Sequence, residues 1–150
     1  MSTPNEKVKS GTKAAVIPLL TALVALVGLA DSIYLTVEHY KNELPPCSIV
    51  QGCERVLTSA YAESNGVPLA ALGAAAYFLA FSLALLAGFG NRTMWTLFGI
   101  QVTLMAVFTV WLLYLQAYVI EAFCQFCLLS ALTTFTMFLL FWVSRFFRAK

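Results

Sequence analysis

The chain holds four cysteines in two close pairs, Cys47 with Cys53 and Cys124 with Cys127. Cys47 and Cys53 lie in a polar connecting segment, and the Cys124-Gln125-Phe126-Cys127 motif opens the last apolar run. A thiolate attacks a disulfide through a mixed-disulfide intermediate, so two neighbouring dithiols can hand an electron pair from one to the other. Residues i and i+3 of a helix share a face with Cβ atoms about 5–6 Å apart, and modest local adjustment closes a disulfide between them. Cys124 is expected in the first turn of the last helix. There the positive end of the helix dipole stabilises a thiolate and makes the thiol a better nucleophile.

Other chemistries fit the same residues. A C-x-x-C motif is also a zinc half-site, and a four-cysteine zinc site is geometrically possible. No histidine belongs to either pair, and the single histidine, His39, precedes Cys47 in the chain. Both pairs could instead be structural staples. A bridge closing a loop this short contributes only about 2–2.5 kcal/mol by loop-entropy arithmetic, and a staple does not explain a second pair nearby.

The elements that must position these cysteines are membrane helices. The composition is 61% hydrophobic and 11% charged over 150 residues, more apolar than a water-soluble fold of this size can bury. A net charge of +2 without a basic cluster speaks against nucleic acid as a partner. Four stretches suffice to cross about 30 Å of hydrocarbon: roughly 14–37, 68–89, 94–118 and 123–141. The predicted fold is therefore an all-α integral membrane protein, a single-domain four-transmembrane-helix bundle over 1–150. Residues 1–13 form a polar tail ahead of the first span, and that span is too long for a signal-peptide core.

Charge orients the bundle. Of nine lysines and arginines, all but Lys41 and Arg55 fall on the side of the two termini. The positive-inside rule then places both termini in the cytoplasm and both cysteine pairs outside, where disulfides persist. The long outer loop, 38–67, contains Val56, Leu57, Ala60 and Tyr61 at helical spacing. A short amphipathic lid helix over Glu54–Ala62 is predicted across the outer mouth.

Cys47 and Cys53-Glu-Arg-Val-Leu-Thr-Ser59, then Gly66-Val-Pro-Leu-Ala-Ala-Leu-Gly73, then Cys124-Gln-Phe-Cys127-Leu-Leu-Ser-Ala together resemble the vitamin K epoxide reductase family. Asp31-Ser32-Ile33-Tyr34-Leu35 is similar to its prokaryotic branch. The resemblance implies a thiol–quinone oxidoreductase with catalytic residues Cys47, Cys53, Cys124 and Cys127 and no metal. Cys127 would face the quinone, Cys124 would exchange with Cys53, and Cys47 would form the mixed disulfide with a thioredoxin-like disulfide oxidase on the extracytoplasmic side. It further implies a quinone pocket (menaquinone, ubiquinone or a vitamin K-type quinone) built from Leu57, Ser59, Tyr77, Leu112, Gln116, Ile120 and Phe126. Leu69 and Ala131 stand where animal members carry a polar asparagine and tyrosine, which favours plain quinone reduction over epoxide reduction. The chain ends at Lys150 without a fused thioredoxin-like domain, so a separate partner is expected, at the plasma membrane. The other bacterial four-helix disulfide oxidases have the two cysteine pairs in the reverse order.

The remaining polar residues have plainer readings. Asp31, near the outer end of the first span, is either a proton relay or an interfacial acid bonded to Ser32 or Tyr34. Gln116 is either a quinone donor or a helix-to-helix bond. Glu38 and His39 read as solvated loop residues, and Trp95, Tyr118 and Trp142 as an interfacial aromatic belt. From a different class, the chain could be a structural or adaptor membrane protein whose cysteines only brace it.

Overall fold

The computed structural model describes the backbone of residues 4–150 and the side chains of residues 15–150. The expectation placed on Lys7, Lys9 and Lys13 lies outside the described side chains. In chain order the elements are α1 (Pro4–Lys41), α2 (Cys53–Leu57), β1 (Glu63–Ser64), β2 (Val67–Pro68), α3 (Leu69–Gly88), α4 (Arg92–Tyr114), a π-helical turn (Leu115–Ile120) and α5 (Gln125–Ala149). Four of the helical stretches are long and apolar enough to cross a membrane: Ala15–Lys41, Leu69–Gly88, Arg92–Ile120 and Gln125–Ala149. Helices α1 and α4 each pack against both α3 and α5, closing a four-helix bundle.

Small residues let the helices approach where lipid supplies no hydrophobic drive. Ala22 and Ala25 of α1 meet Ala80, Ala84 and Ala87 of α3 in the buried core. Gly28 of α1 leaves room for the Tyr77 ring, and Gly99 of α4 does the same for Phe141; a methyl group at either position would overlap the ring. Large apolar side chains such as Leu23, Phe78, Leu104, Val107, Leu132 and Leu139 point outward and are exposed, as a lipid-facing surface requires.

Tyr77 is the polar clamp of this core. Its hydroxyl lies 2.7 Å from the Ser130 carbonyl oxygen and 2.9, 2.7 and 2.8 Å from the hydroxyls of Ser130, Thr133 and Thr134, all on α5. Removing that hydroxyl leaves buried partners on α5 with a lost bond, a change worth about 1–3 kcal/mol. Tyr77→Phe is expected to lower the unfolding midpoint in detergent by several degrees, read by thermal denaturation.

The structure differs from the sequence expectations at the end of the bundle that carries the cysteines. Helix α1 continues to Lys41, past the expected end near 37, so Glu38 and His39 are helical and His39 Nε2 lies 2.5 Å from Glu63 Oε1. The helix stops because Asn42 takes a left-handed φ of 57° and the Glu43 N–H bonds the Glu38 carbonyl, 3.1 Å, the Schellman pattern. The lid helix spans only Cys53–Leu57, not Glu54–Ala62. Thr58 Oγ1 donates to the Glu54 carbonyl and Ser59 Oγ to the Val56 carbonyl, 2.6 and 2.7 Å, and these bonds end it. A hairpin follows, with Glu63 opposite Pro68 and Ser64 opposite Val67. Asn65 and Gly66 make its turn with φ of 53° and 81°, the positive pair a two-residue type I′ hairpin demands.

The other boundaries move by a turn or less, except that the backbone of α1 is already helical from Pro4, within the stretch 1–13 expected as a tail, and α5 runs to Ala149 where 141 was expected. Tyr118 and Trp142 are exposed, whereas Trp95 is buried and outside any aromatic belt. It stacks on Phe98 with ring centres 5.0 Å apart and donates to Ser144 Oγ at 3.2 Å.

Candidate active site

All four cysteines meet in one small cluster at one end of the bundle. Cys53, Val56, Ala122 and Cys124 form its buried centre, with Cys47, Leu57, Ile120, Phe126 and Cys127 packed around them. Cys47 and Cys53 are joined as a disulfide with their Cα atoms 6.2 Å apart, while Cys124 and Cys127 are free thiols. Cys124 is fully buried and Cys127 half-buried. Among the described residues, no group of three or more His, Cys, Asp or Glu side chains is arranged to hold a metal ion.

Two glutamines and a glycine assemble this cluster, and sequence reasoning missed how. Gln125 straps the disulfide loop to the start of α5. Its Oε1 accepts from the Ile49 N–H at 3.0 Å, and its Nε2 donates to the Pro46 carbonyl at 3.4 Å. Gly52 brings the loop backbone against the α4–α5 connection; a methyl group there would lie 2.6 Å from the Phe123 carbonyl oxygen. Its φ of 176° suits any residue, so the requirement is space alone. Gln116 lies in the π-helical turn, where the wider winding carries its side chain toward the next segment. Its Oε1 accepts the Cys124 N–H at 3.2 Å, and its carbonyl accepts the Ala122 N–H at 3.0 Å.

Cys124 is thereby held one position ahead of the helix, not in its first turn. Its φ of –108° and ψ of 126° are extended, and α5 begins at Gln125. The thiol still feels the helix start. The Cys127 thiol beside it brings Cys124 down to about 7; burial opposes this, the N–H groups of Cys127 and Phe126 assist, and the charge of Asp31 opposes. Near neutral pH a large fraction of Cys124 is then thiolate, the form that attacks a disulfide. Its buried neighbour in the same cluster is Cys53.

Cys127 faces the other way, onto a cavity of about 380 Å³, within the roughly 300–1,000 Å³ usual for small-molecule sites. Leu57, Ser59, Tyr77, Leu112, Gln116 and Ile120 line this cavity together with Cys127. Phe126, expected among them, is not on the wall; it packs against Tyr34, ring centres 5.5 Å apart. The Tyr77 hydroxyl is spent on α5, and Gln116 has its oxygen committed to Cys124, so the latter's amide nitrogen is the group left to donate. Leu69 and Ala131 are also on the wall. The lining is mostly aliphatic, with a few polar groups that include the Cys127 thiol and the Asp31 carboxyl. Such a wall fits a flat, apolar molecule carrying carbonyl oxygens.

The profile of the vitamin K epoxide reductase family matches residues 19–142. The chain belongs to that family. The match takes in two membrane helices whole and most of the first and last, both cysteine pairs and every cavity residue named above. As a vitamin K epoxide reductase family member the protein is a multi-pass membrane enzyme, a thiol–quinone oxidoreductase. The reading of the chain as an adaptor braced by its disulfides does not hold, because the family is one of oxidoreductases.

Proposed function

We propose that the protein carries electrons from a separate thioredoxin-like protein on the extracytoplasmic side to a membrane quinone, and so supports disulfide formation in exported proteins. The partner's dithiol reduces Cys47–Cys53, leaving the partner oxidised. The resulting Cys53 thiol then reduces a Cys124–Cys127 disulfide, and the Cys124–Cys127 dithiol in turn gives its electron pair to the quinone. Each thiol–disulfide exchange breaks one S–S bond and forms another, and at the last step the Cys124–Cys127 bond forms as the quinone takes up two electrons and two protons. The observation that supports this reading best is the single buried cluster in which Cys53 and Cys124 lie together, with Cys127 on the cavity wall.

In the cavity, Leu57, Leu112, Ile120 and Ser59 supply contact, the Ser59 proton being held by the Val56 carbonyl, and the Gln116 amide nitrogen supplies the hydrogen bond to a carbonyl oxygen. Leu69 and Ala131 are apolar, which favours reduction of the quinone over that of an epoxide. The charge bias along the chain supports cytoplasmic termini and an extracytoplasmic cysteine cluster in the plasma membrane. The test is a purified-protein assay. With a reduced thioredoxin-like protein and a water-soluble benzoquinone, quinone absorbance is expected to fall one equivalent for each partner disulfide formed. Quinone loss no faster than in the absence of the protein would overturn the proposal.

A further inference from the structure

Quinone reduction needs two protons as well as two electrons, and the cysteine relay accounts only for the electrons. Asp31 is the one carboxylic acid among the described residues lining the cavity. It is buried, 8% exposed, within the membrane span of α1. Its Oδ2 has no hydrogen-bond partner among the described residues, so the expected bonds to Ser32 or Tyr34 do not satisfy it. A buried carboxyl oxygen without a partner is costly and requires an explanation.

The other titratable groups facing the cavity are otherwise engaged. On the same helix, His39 is tied to Glu63. From α3, the Tyr77 hydroxyl is surrounded by Ser130, Thr133 and Thr134. Tyr61, from the loop before the hairpin, is largely exposed. From α5 comes Cys127 itself, and Cys124 just ahead of α5 senses the charge of Asp31. Asp31 therefore shares the cavity wall with Cys127 and is close enough to both thiols to act on them electrostatically.

We propose that Asp31 is a catalytic residue, the acid–base group that moves a proton between the Cys124–Cys127 dithiol and the quinone. This rests on the quinone occupying the cavity beside Cys127. In the balanced reaction the two thiols lose two electrons and two protons as the S–S bond forms, and the quinone becomes the hydroquinone. Asp31 gives its proton to a quinone oxygen and takes one thiol proton in exchange. The second proton exchanges through water at the outer mouth. There Asp31, Leu35 and His39 share one face of α1 at four-residue spacing, and His39 also lines an adjoining cavity of about 670 Å³ toward the exterior.

The experiment combines kinetics with a chemical label. Dithiol-driven benzoquinone reduction is measured for wild type, Asp31→Asn, Asp31→Glu and Cys127→Ser, in water and in heavy water. Separately, wild type is treated with dicyclohexylcarbodiimide, which modifies protonated carboxyls in apolar surroundings, with and without the benzoquinone. Asp31→Asn is expected to lose about 100-fold in kcat with KM changed by less than about threefold and a larger solvent isotope effect. Asp31→Glu should recover much of the rate. The label should map to Asp31 by mass spectrometry, and the quinone should suppress it. Asp31→Asn within about threefold of wild type, Asp31→Glu as slow as Asp31→Asn, or labelling indifferent to the quinone would each overturn the role of Asp31 alone. An inactive wild type or an active Cys127→Ser would instead overturn the relay on which it rests.

Discussion

Cys127→Ser protein is expected to reduce quinone at less than about one-thousandth of the wild-type rate. Cys127 is the half-buried thiol on the cavity wall, and Cys124 lies behind it, fully buried. Serine keeps the volume but forms no disulfide, so the electron pair cannot leave the protein. The loop exchange survives in this variant. The Cys124 thiolate attacks Cys53, the Cys47–Cys53 bond breaks, and without Cys127 to resolve it the Cys53–Cys124 bond accumulates. Non-reducing peptide mapping should find that cross-link. Cys124→Ser should be equally inactive but should leave Cys47–Cys53 intact. Turnover within about tenfold of wild type in either variant would remove both thiols from the redox centre.

Cys53→Ser separates the two halves of the relay. When a partner thiolate attacks Cys47, Cys53 is the thiol that leaves, and the partner's second thiol then resolves the mixed disulfide. Of the loop pair, Cys53 is the one in the buried centre with Cys124. Oxidation of a protein dithiol is expected to fall by at least about 100-fold, with no Cys47–partner adduct on a non-reducing gel, because Cys47 then offers no disulfide for the partner to attack. A small membrane-permeant dithiol reaches the Cys124–Cys127 disulfide directly and should still drive quinone reduction at near the wild-type rate. The contrast between the two donors is the diagnostic measurement. Equal loss with both donors would mean that Cys53 supports the fold of the site, and no loss with the protein donor would mean that Cys53 is bypassed.

Sequence reading went furthest where a signal is additive along the chain. Hydropathy summed over roughly 20 residues finds a span because the bilayer imposes one length, and the fold has four helices long and apolar enough to cross, with ends set by local caps such as Asn42. The outer loop was read less well. Val56, Leu57, Ala60 and Tyr61 have helical spacing, but periodicity carries no information about the hydroxyl groups of Thr58 and Ser59, which bond back to the chain and stop the helix after Leu57. The Asn65-Gly66 pair was the available signal for the hairpin, a dipeptide suited to two positive φ angles, and it went unused. Phe126 was assigned to the pocket by resemblance, yet α5 starts at Gln125 and its rotation turns Phe126 toward Tyr34.

The sequence by itself determined the membrane bundle, the pairing of cysteines along the chain and the class of chemistry. Those follow from solvent transfer energies and from the identity of the reactive atoms, which do not depend on where distant residues lie. Only the tertiary structure decided how the two pairs meet. The Gln125 strap across Pro46 and Ile49 and the contact at Gly52 join segments far apart in the chain, and the Gln116 bond fixes Cys124 across the turn between α4 and α5. The same packing leaves Asp31 buried, with an oxygen unpaired, in the cavity that Cys127 faces. A hydrogen bond or a steric gap between remote segments leaves no periodic trace in composition, so these contacts become visible only once the helices are packed.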